Sequence, residues 1–384
     1  MEDRLPPPPD FLLLNHQSDY EEDIDLSEDP DIIFVKRLVS VGLSIAFISA
    51  ITYFVILYIS GGSILLKPTE FALERQTLYH NMVQQNKVSF TGQGVDVCIV
   101  DSGIDLSHPD IEDFELRGWF DFIDGNVNPY DDNGHGTSMA GIIIADGWMR
   151  GVAPDVNLYV AKALSKNGEG SDEIVAEAID WCVLKGADII SLSLGGAPGI
   201  LPFTIGGDRT SGDAANDAIE QGIFVVAAAG NDGGENDDGD VAHPSSEELV
   251  ISVGGVTPTG TAWSGSSIGD NNGRVWPILL PRSDPNQKPE VVAPGQSVPV
   301  ISIGDKWALV DGTSASTAYV SGALALLLEA NPQLQHESNE GSTTIEDVKT
   351  WIMETSSPLP EQNGHDDKYG YGLLKINDLI EASS

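Results

Sequence analysis

The sequence is poor in positive charge. Only 19 residues are Lys or Arg, against 59 Asp or Glu, giving a formal net charge of −40 over 384 residues. Residues 91–384 hold 13 of the basic and 46 of the acidic residues, a net of −33, so the acidity is not confined to a tail. This disfavours binding to nucleic acid, whose phosphates are held by Lys and Arg replacing condensed counterions. A surface of one sign repels itself in dilute buffer and is screened in salt. Adaptation to high salinity is therefore expected, with an acidic secreted protein from an ordinary habitat as the alternative. Cysteine is nearly absent. Two cysteines, Cys98 and Cys182, cannot form the framework of a disulfide-stapled small domain. Cys98 lies in the apolar run VDVCIV and Cys182 in a helical pattern, so both are expected to be small buried hydrophobes. The motifs of phosphate and metal chemistry are missing as well. There is no Walker loop and no HExxH, and Gly92-x-Gly94 precedes a strand where a dinucleotide loop would follow one.

Long hydrophobic runs are missing with one exception. Residues 1–35 are Pro-rich and then acidic, with little to bury, and are expected to be disordered. After Lys36 and Arg37 come 23 uncharged, mostly apolar residues, Leu38 to Ser60. A helix of that length spans a hydrocarbon core of ~30 Å. A cleaved signal peptide fits poorly, because the leading segment is long and acidic and no A-x-A site follows. The basic pair on the N-terminal side predicts a cytoplasmic N-terminus. The expected organisation is a cytoplasmic acidic tail (1–37), a single-pass anchor (38–60), a connector or short pro-region (61–90) and a globular domain outside the cell (91–384).

From Thr91 onward, strand and helix patterns alternate. Val95–Val100, Val156–Ala161, Ile189–Leu194 and Phe224–Ala229 are short apolar runs that read as buried strands. Between them, Ser171 caps a helix ending at Lys185-Gly186, and Asp213–Gln221 is helical. Ala315–Ala330 is an apolar helix stopped by Asn331-Pro332, and within the connector Ala72 to Gln85 has a helical pattern. The alternation predicts an α/β fold with a doubly wound, mostly parallel sheet and helices on both faces.

Three Gly-rich segments carry the groups that acyl transfer needs: VDSGID, DDNGHGTSMAG and DGTSAST. The chemistry requires a nucleophile, a neutral imidazole to take its proton, and a carboxylate to orient the imidazole. Asp101 follows a buried strand, at the sheet edge where ligands bind in open α/β folds. Gly134 and Gly136 flank His135, which suggests a backbone that passes close to a substrate. Ser314 opens a helix, whose N-terminus favours developing negative charge. Taken singly, each is an ordinary turn, loop or cap residue.

Their joint order resembles the Asp, His and Ser signatures of the subtilase family. AAAGND at 227–232 resembles the family's oxyanion segment. TGQGVDV, HPDI, GVAPDVNLYVAKAL, GADIISLSLGG, KPEVVAPG and YGYGLLKI extend the similarity from about Thr91 to Ile376. The resemblance implies a subtilisin-like fold and a serine endopeptidase acting on polypeptides. Asp101, His135 and Ser314 would be the triad, and Asn231 the side-chain oxyanion donor. Ser193, Leu194 and Gly195, with Gly196, would edge the substrate cleft on one side, and Gly168 to Gly170 on the other. His243-Pro244 stands where the family often has a cis proline. The rival is a catalytically inactive subtilase fold serving as a surface binding module. An esterase would be expected to carry a G-x-S-x-G elbow in Ser, Asp, His order; Ser264-Gly265-Ser266 is not such an elbow, and the candidate groups here run in the order Asp, His, Ser.

The chain departs from the family in places. Ala318 and Tyr319 replace a proline and a histidine after the serine, and Ser138 replaces a second histidine. The chemistry needs no cofactor. A structural calcium ion is the one cofactor the resemblance raises, with Asp110 as its candidate ligand, although the loop that would complete the site is shortened to Asp146–Arg150. Asp232–Asp240 is acidic enough for a hard cation, but a solvated acidic loop is the simpler expectation. The pro-region is too short for a folding-assisting prodomain. Expected partners are polypeptide substrates and membrane lipid along residues 38–60, with no nucleic acid and a monomeric state.

Overall fold

A computed structural model describes residues 30–59, 67–196, 209–234, 237–275, 279–359 and 362–383. The chain divides into two units, Met1–Leu65 and Leu66–Ser384. In the first, helix α1 spans Pro30–Ile59. It starts earlier than the apolar run alone predicts, so residues 30–37 are helical and not disordered; Pro30 opens it and Asp31 sits in its first turn, both favourable at a helix start. Ile33–Val55 within it is long and apolar enough to cross a membrane. Residues 1–29, also expected to be disordered, lie outside the described residues.

The second unit is an α/β fold around one seven-stranded sheet. Its strands are β1 (Asp96–Asp101), β2 (Gly118–Asp121), β3 (Asn157–Lys162), β4 (Ile189–Leu192), β5 (Phe224–Ala228), β6 (Ile251–Val256) and β7 (Val291–Pro294). Their order is β2-β3-β1-β4-β5-β6-β7, and every pairing is parallel. A parallel sheet covered on both faces needs strands apolar on both faces, and β4 to β7 are buried at every position. The helices are α3 (His135–Ile144), α4 (Asp172–Leu184), α5 (Ser211–Glu220), α6 (Thr313–Ala330), α7 (Ser342–Thr355) and α8 (Ile376–Ala382). α3 packs with α6, and α4 with α5. β8 (Val298–Ser302) and β9 (Lys306–Val310) form a separate antiparallel hairpin.

Local chemistry sets the boundaries. The Ser171 hydroxyl accepts the Ile174 N–H and caps α4, with Asp172 and Glu173 in the first turn favoured by the helix dipole. Thr210 and Asp213 form a capping box on α5. α6 is apolar almost all round, as a helix through the middle of a core must be. Ser321 Oγ on α6 donates to Ser191 Oγ of β4 at 2.9 Å, and Ser316 Oγ donates to the β7 carbonyls of Ala293 and Pro294.

The expectation for the cysteines needs correction. Cys98 and Cys182 are fully buried, but they are one disulfide, with Cα atoms 5.8 Å apart, and not two separate hydrophobes. The bond ties β1 to α4, which packs across it.

Residues 67–90 of the connector are part of the same compact unit. Helix α2 (Glu70–Met82) buries Tyr79, whose hydroxyl donates to the Gln296 carbonyl. Lys375 Nζ donates to Met82 O at 2.7 Å, and the Ile376 N–H to Val83 O at 2.9 Å. Tyr319, the departure after the serine, is buried edge-on to Tyr79 at 6.5 Å. The Ser138 hydroxyl lies within hydrogen-bond reach of Gly134 O and of Ile301 O in β8, joining α3 to the hairpin. Both departures are therefore used in packing.

Candidate active site

The order in which strands are added to the sheet reverses between β1 and β4, parallel neighbours at its middle. The crevice at such a switch point, beyond the strands' C-terminal ends, is the usual ligand site of this architecture. Asp101 is the last residue of β1 and is fully buried. His135 opens α3, after Gly134 in the left-handed region at φ 98°. Its Nδ1 lies 2.8 and 2.9 Å from the two Asp101 oxygens. A carboxylate only accepts, so Nδ1 carries the proton and Nε2 of the neutral ring is left as a base. Gly136 has a different role from the one its place beside His135 suggests. A Cβ there would lie 2.2 Å from the Gly103 carbonyl oxygen, so the glycine lets the His segment rest directly on the Asp segment.

Asp131 holds that segment in place. It accepts the N–H groups of Asn133, Gly134 and Thr137 and the hydroxyls of Ser102 and Thr137. Burial alone would raise its pKa, but the bonds from Thr137, Gly134 and Asn133 outweigh that and hold the carboxyl below its usual range. The His135 pKa has opposing causes. Burial pushes it down, while the charge and hydrogen bond of Asp101 and the charge of Asp131 push it up, and the net result lies above 6.5. Lys162, fully buried, donates to the carbonyls of Ser102 (2.6 Å) and Leu164 (3.1 Å) and to Asp132 (2.7 Å), bracing the same corner from below.

Ser314 stands in the first turn of α6. Its hydroxyl donates to the Ser193 carbonyl at 3.0 Å, and the Ser193 hydroxyl donates back to the Ser314 carbonyl at 3.0 Å. Asn231 follows β5, and its Oδ1 accepts from Thr313 N–H at 2.9 Å and Thr313 Oγ at 3.0 Å. His135, Ser314 and Asn231 line one cleft of about 740 Å³. Ser193, Leu194, Gly195 and Gly196 line it too, as do Gly168, Glu169 and Gly170. His243-Pro244 is cis, and His243 also reaches the cleft.

Asp110 is not built to receive calcium. Its carboxylate accepts the N–H groups of Trp148 (2.9 Å) and Met149 (3.0 Å) and the Trp307 indole N–H (2.6 Å), and it thereby shapes the short Asp146–Arg150 loop. Protons point at its oxygens where a cation would need further lone pairs. The described part of the Asp232–Asp240 loop is folded by its own amides. Asp238 N–H donates to Asp232, Gly239 N–H to Asp237 and Asp240 N–H to Asp238. No group of three or more His, Cys, Asp or Glu residues is arranged for a metal among the described residues.

Sequence reasoning passed over Asp131, Lys162 and Thr313. Asp131 and Thr313 lie inside the quoted signatures, four residues from His135 and one from Ser314, and that proximity was the available signal.

The chain is similar to known proteins over most of its α/β unit. The pattern that defines the Subtilase family matches residues 92–372. Subtilisin NAT of Bacillus subtilis subsp. natto is 32% identical over 291 residues, covering 75% of this chain and 66% of that protein. A subtilisin of Bacillus pumilus is 32% identical over 291 residues, covering 75% of this chain and 91% of its own. The chain thus spans just under two thirds of the first of these relatives. A crystal structure of a cold-adapted subtilisin-like serine proteinase superposes with a TM-score of 0.58 at 24% identity, covering 75% of this chain and 91% of that one, a likeness of fold. With the family pattern running through all seven strands of the main sheet, the chain belongs to the subtilase family of serine proteases.

Proposed function

We propose that this chain is a serine endopeptidase, held in a membrane by α1, with Asp101, His135 and Ser314 as its triad. The observation that carries this is the His135–Asp101 pair, set in one cleft with Ser314 and Asn231. The Ser314 hydroxyl turns from the Ser193 carbonyl towards His135 Nε2 and gives up its proton as Oγ attacks the scissile carbonyl. Asp101 keeps the tautomer and stabilises the imidazolium. The oxyanion is met by the Asn231 amide and the Ser314 backbone N–H. His135 then protonates the leaving amine, and water, activated by the same imidazole, releases the acyl group. A substrate strand lies between Ser193–Gly196 and Gly168–Gly170, held by backbone hydrogen bonds. Residues 67–90 stay with the domain, because Tyr79, Met82 and Val83 are stitched into it.

Lys36 and Arg37 support a cytoplasmic N-terminus and a catalytic unit outside the cell. The Cys98–Cys182 disulfide agrees, since such bonds persist in oxidising compartments. The acidity is proposed as salt adaptation, and the enzyme as a monomer with no nucleic-acid partner. Labelling the full chain with a fluorophosphonate and mapping the adduct by mass spectrometry tests the mechanism. The label should sit on Ser314 and vanish in Ser314→Ala; an unlabelled, folded parent would support the inactive binding module instead. For topology, protease added to intact cells or spheroplasts should reach the catalytic unit while a tag at residue 1 stays protected.

A further inference from the structure

Lys162, the last residue of β3, is a fully buried cation. Burying a charge is costly unless it is paired and hydrogen-bonded, so a position that only had to fill the strand would be expected to be apolar. An ammonium has three protons to give, and here each goes to a different segment. One meets the Ser102 carbonyl at 2.6 Å, directly after Asp101. One meets the Leu164 carbonyl at 3.1 Å. The third meets Asp132 at 2.7 Å, three residues before His135. The Tyr130 ring centre lies 4.8 Å from the same nitrogen.

These three segments are the parts of the site that must stay aligned. Leu164 opens the stretch 164–170, which walls one side of the cleft with Leu164, Gly168, Glu169 and Gly170. The wall starts on the backbone of the orienting carboxylate, because the N–H groups of Ala163 and Leu164 donate to Asp101 O at 2.8 and 3.1 Å. It then closes on itself: Ser165 N–H donates to Glu169 O at 2.9 Å, and Gly168 N–H to Ser165 O at 2.8 Å. A second tie runs back to the base. Asn133 Nδ2 donates to Lys166 O at 3.0 Å, and Asn133 Oδ1 accepts the His135 N–H at 3.1 Å. Asp131 organises the His segment internally and fastens it to Ser102. Lys162 joins that segment to the wall and to the Asp101 segment at one atom.

We infer that Lys162 is a positioning residue for the hydrolysis: its ammonium locks the substrate-holding wall 164–170 to the segments of Asp101 and His135, so that a peptide strand docked on the wall meets a correctly placed imidazole. This rests on the serine endopeptidase mechanism above. In-line attack and proton transfer tolerate little misplacement, and a shift of about 1 Å can cost about 10²-fold in rate. A wall free to slide against the His segment would bind peptide and leave the base out of place.

The test uses the full chain in detergent and a peptide amide with several residues before the cleaved bond. kcat is read on the alkaline plateau of the pH profile, per molecule titrated with a fluorophosphonate. Lys162→Met keeps the length and removes all three bonds; kcat should fall about tenfold or more with KM within about twofold. The Asp132 side chain is 36% exposed, so changing it spares the core. Asp132→Ala cuts only the tie to the His segment, and kcat should fall about threefold or more. Asp132→Asn loses the charge but keeps an oxygen that accepts from Lys162, so it should recover most of that kcat. A purely structural brace would lower the melting temperature and leave plateau kcat per titrated molecule unchanged. A folded Lys162→Met with the parent's kcat, a loss confined to KM, or Asp132→Asn as slow as Asp132→Ala overturns the inference and leaves the endopeptidase mechanism standing. If Lys162→Met does not fold, the Asp132 pair decides: Asp132→Ala with the parent's kcat overturns the inference. A parent that takes no label and cuts nothing overturns both.

Discussion

Thr313 donates from its backbone N–H to Asn231 Oδ1 at 2.9 Å, with its hydroxyl 3.0 Å from the same oxygen. An amide whose oxygen is occupied by these donors leaves its NH2 as the group free to donate elsewhere, and Asn231 lines the same cleft as Ser314. In the proposed mechanism, the segment carrying the nucleophile therefore also orients the oxyanion donor.

Asn231→Ala should lower kcat by about 10²–10³ with little change in KM, the range known for removing one such donor from a subtilisin. Thr313→Val keeps the N–H but loses the hydroxyl, so its kcat should fall less, with KM again nearly constant. Steady-state kinetics on a peptide ester and a peptide amide would check both. A change confined to KM in Asn231→Ala would remove that residue from the oxyanion site.

Raising the His135 pKa above 6.5 has two consequences of defined sign. The general base must be neutral, so kcat/KM should rise with pH along a limb centred above 6.5. The stability contributed by the same shift is fully present below 6.5 and is lost as pH rises through the folded-state pKa. Asp131→Asn removes one of the charges responsible, so its activity limb should move to lower pH. A limb that stays in place would mean Asp131 acts on His135 only through loop geometry.

The places of the candidate residues in the fold were legible because they are local. Asp101 at a strand end, His135 at a helix start and Ser314 in the first turn of α6 are positions set by a few neighbouring residues, and each lies at its element boundary in the structure. The strand runs were legible for a related reason: a parallel sheet buried on both faces leaves continuous apolar stretches. What could not be read was long-range. The Cys98–Cys182 bond joins residues 84 apart and depends on α4 packing over β1. The role of Gly136 depends on a backbone 33 residues earlier, at Gly103. The helix in the connector was legible but its docking was not, because its anchors, Gln296 and Lys375, lie more than 200 residues away.

Removing the disulfide should be costly. It closes a loop across a sequence separation of 84 residues, and chain-entropy reasoning gives about 4–5 kcal/mol of stabilisation for a loop of that length. Cys98→Ala with Cys182→Ala should therefore unfold at a markedly lower temperature than the parent while remaining labelled by fluorophosphonate at low temperature. Because both sulfurs are fully buried, reductant should act on the parent only near its unfolding transition. Rapid reduction of the native protein at low temperature would show that the α4–β1 contact opens locally.

The acidity predicts a response to salt. Residues 91–384 carry 46 acidic and 13 basic residues, so most carboxylates have no cation to pair with. Several basic residues are committed inside the fold, including Lys162 on Asp132, Arg282 on Asp240, and Lys288 and Lys349 on Glu290. The exposed pairs that salt would weaken, such as Arg150–Asp146 and Arg209–Asp180, contribute at most about 1 kcal/mol each. Against that small loss stands repulsion among the unmatched carboxylates, which weakens as the screening length falls from ~10 Å at 0.1 M to ~3 Å at 1 M. Proton transfer within the triad needs no salt, so the effect should act on folding and leave turnover per folded molecule nearly constant. The melting temperature of fragment 61–384, which holds the whole compact unit, should climb steeply between about 0.1 and 1 M monovalent salt. Repeating the scan with a chelator separates charge screening from any cation held by the Asp232–Asp240 loop. A melting temperature that stays flat across the range in chelator would show that the acidity serves something other than salt tolerance.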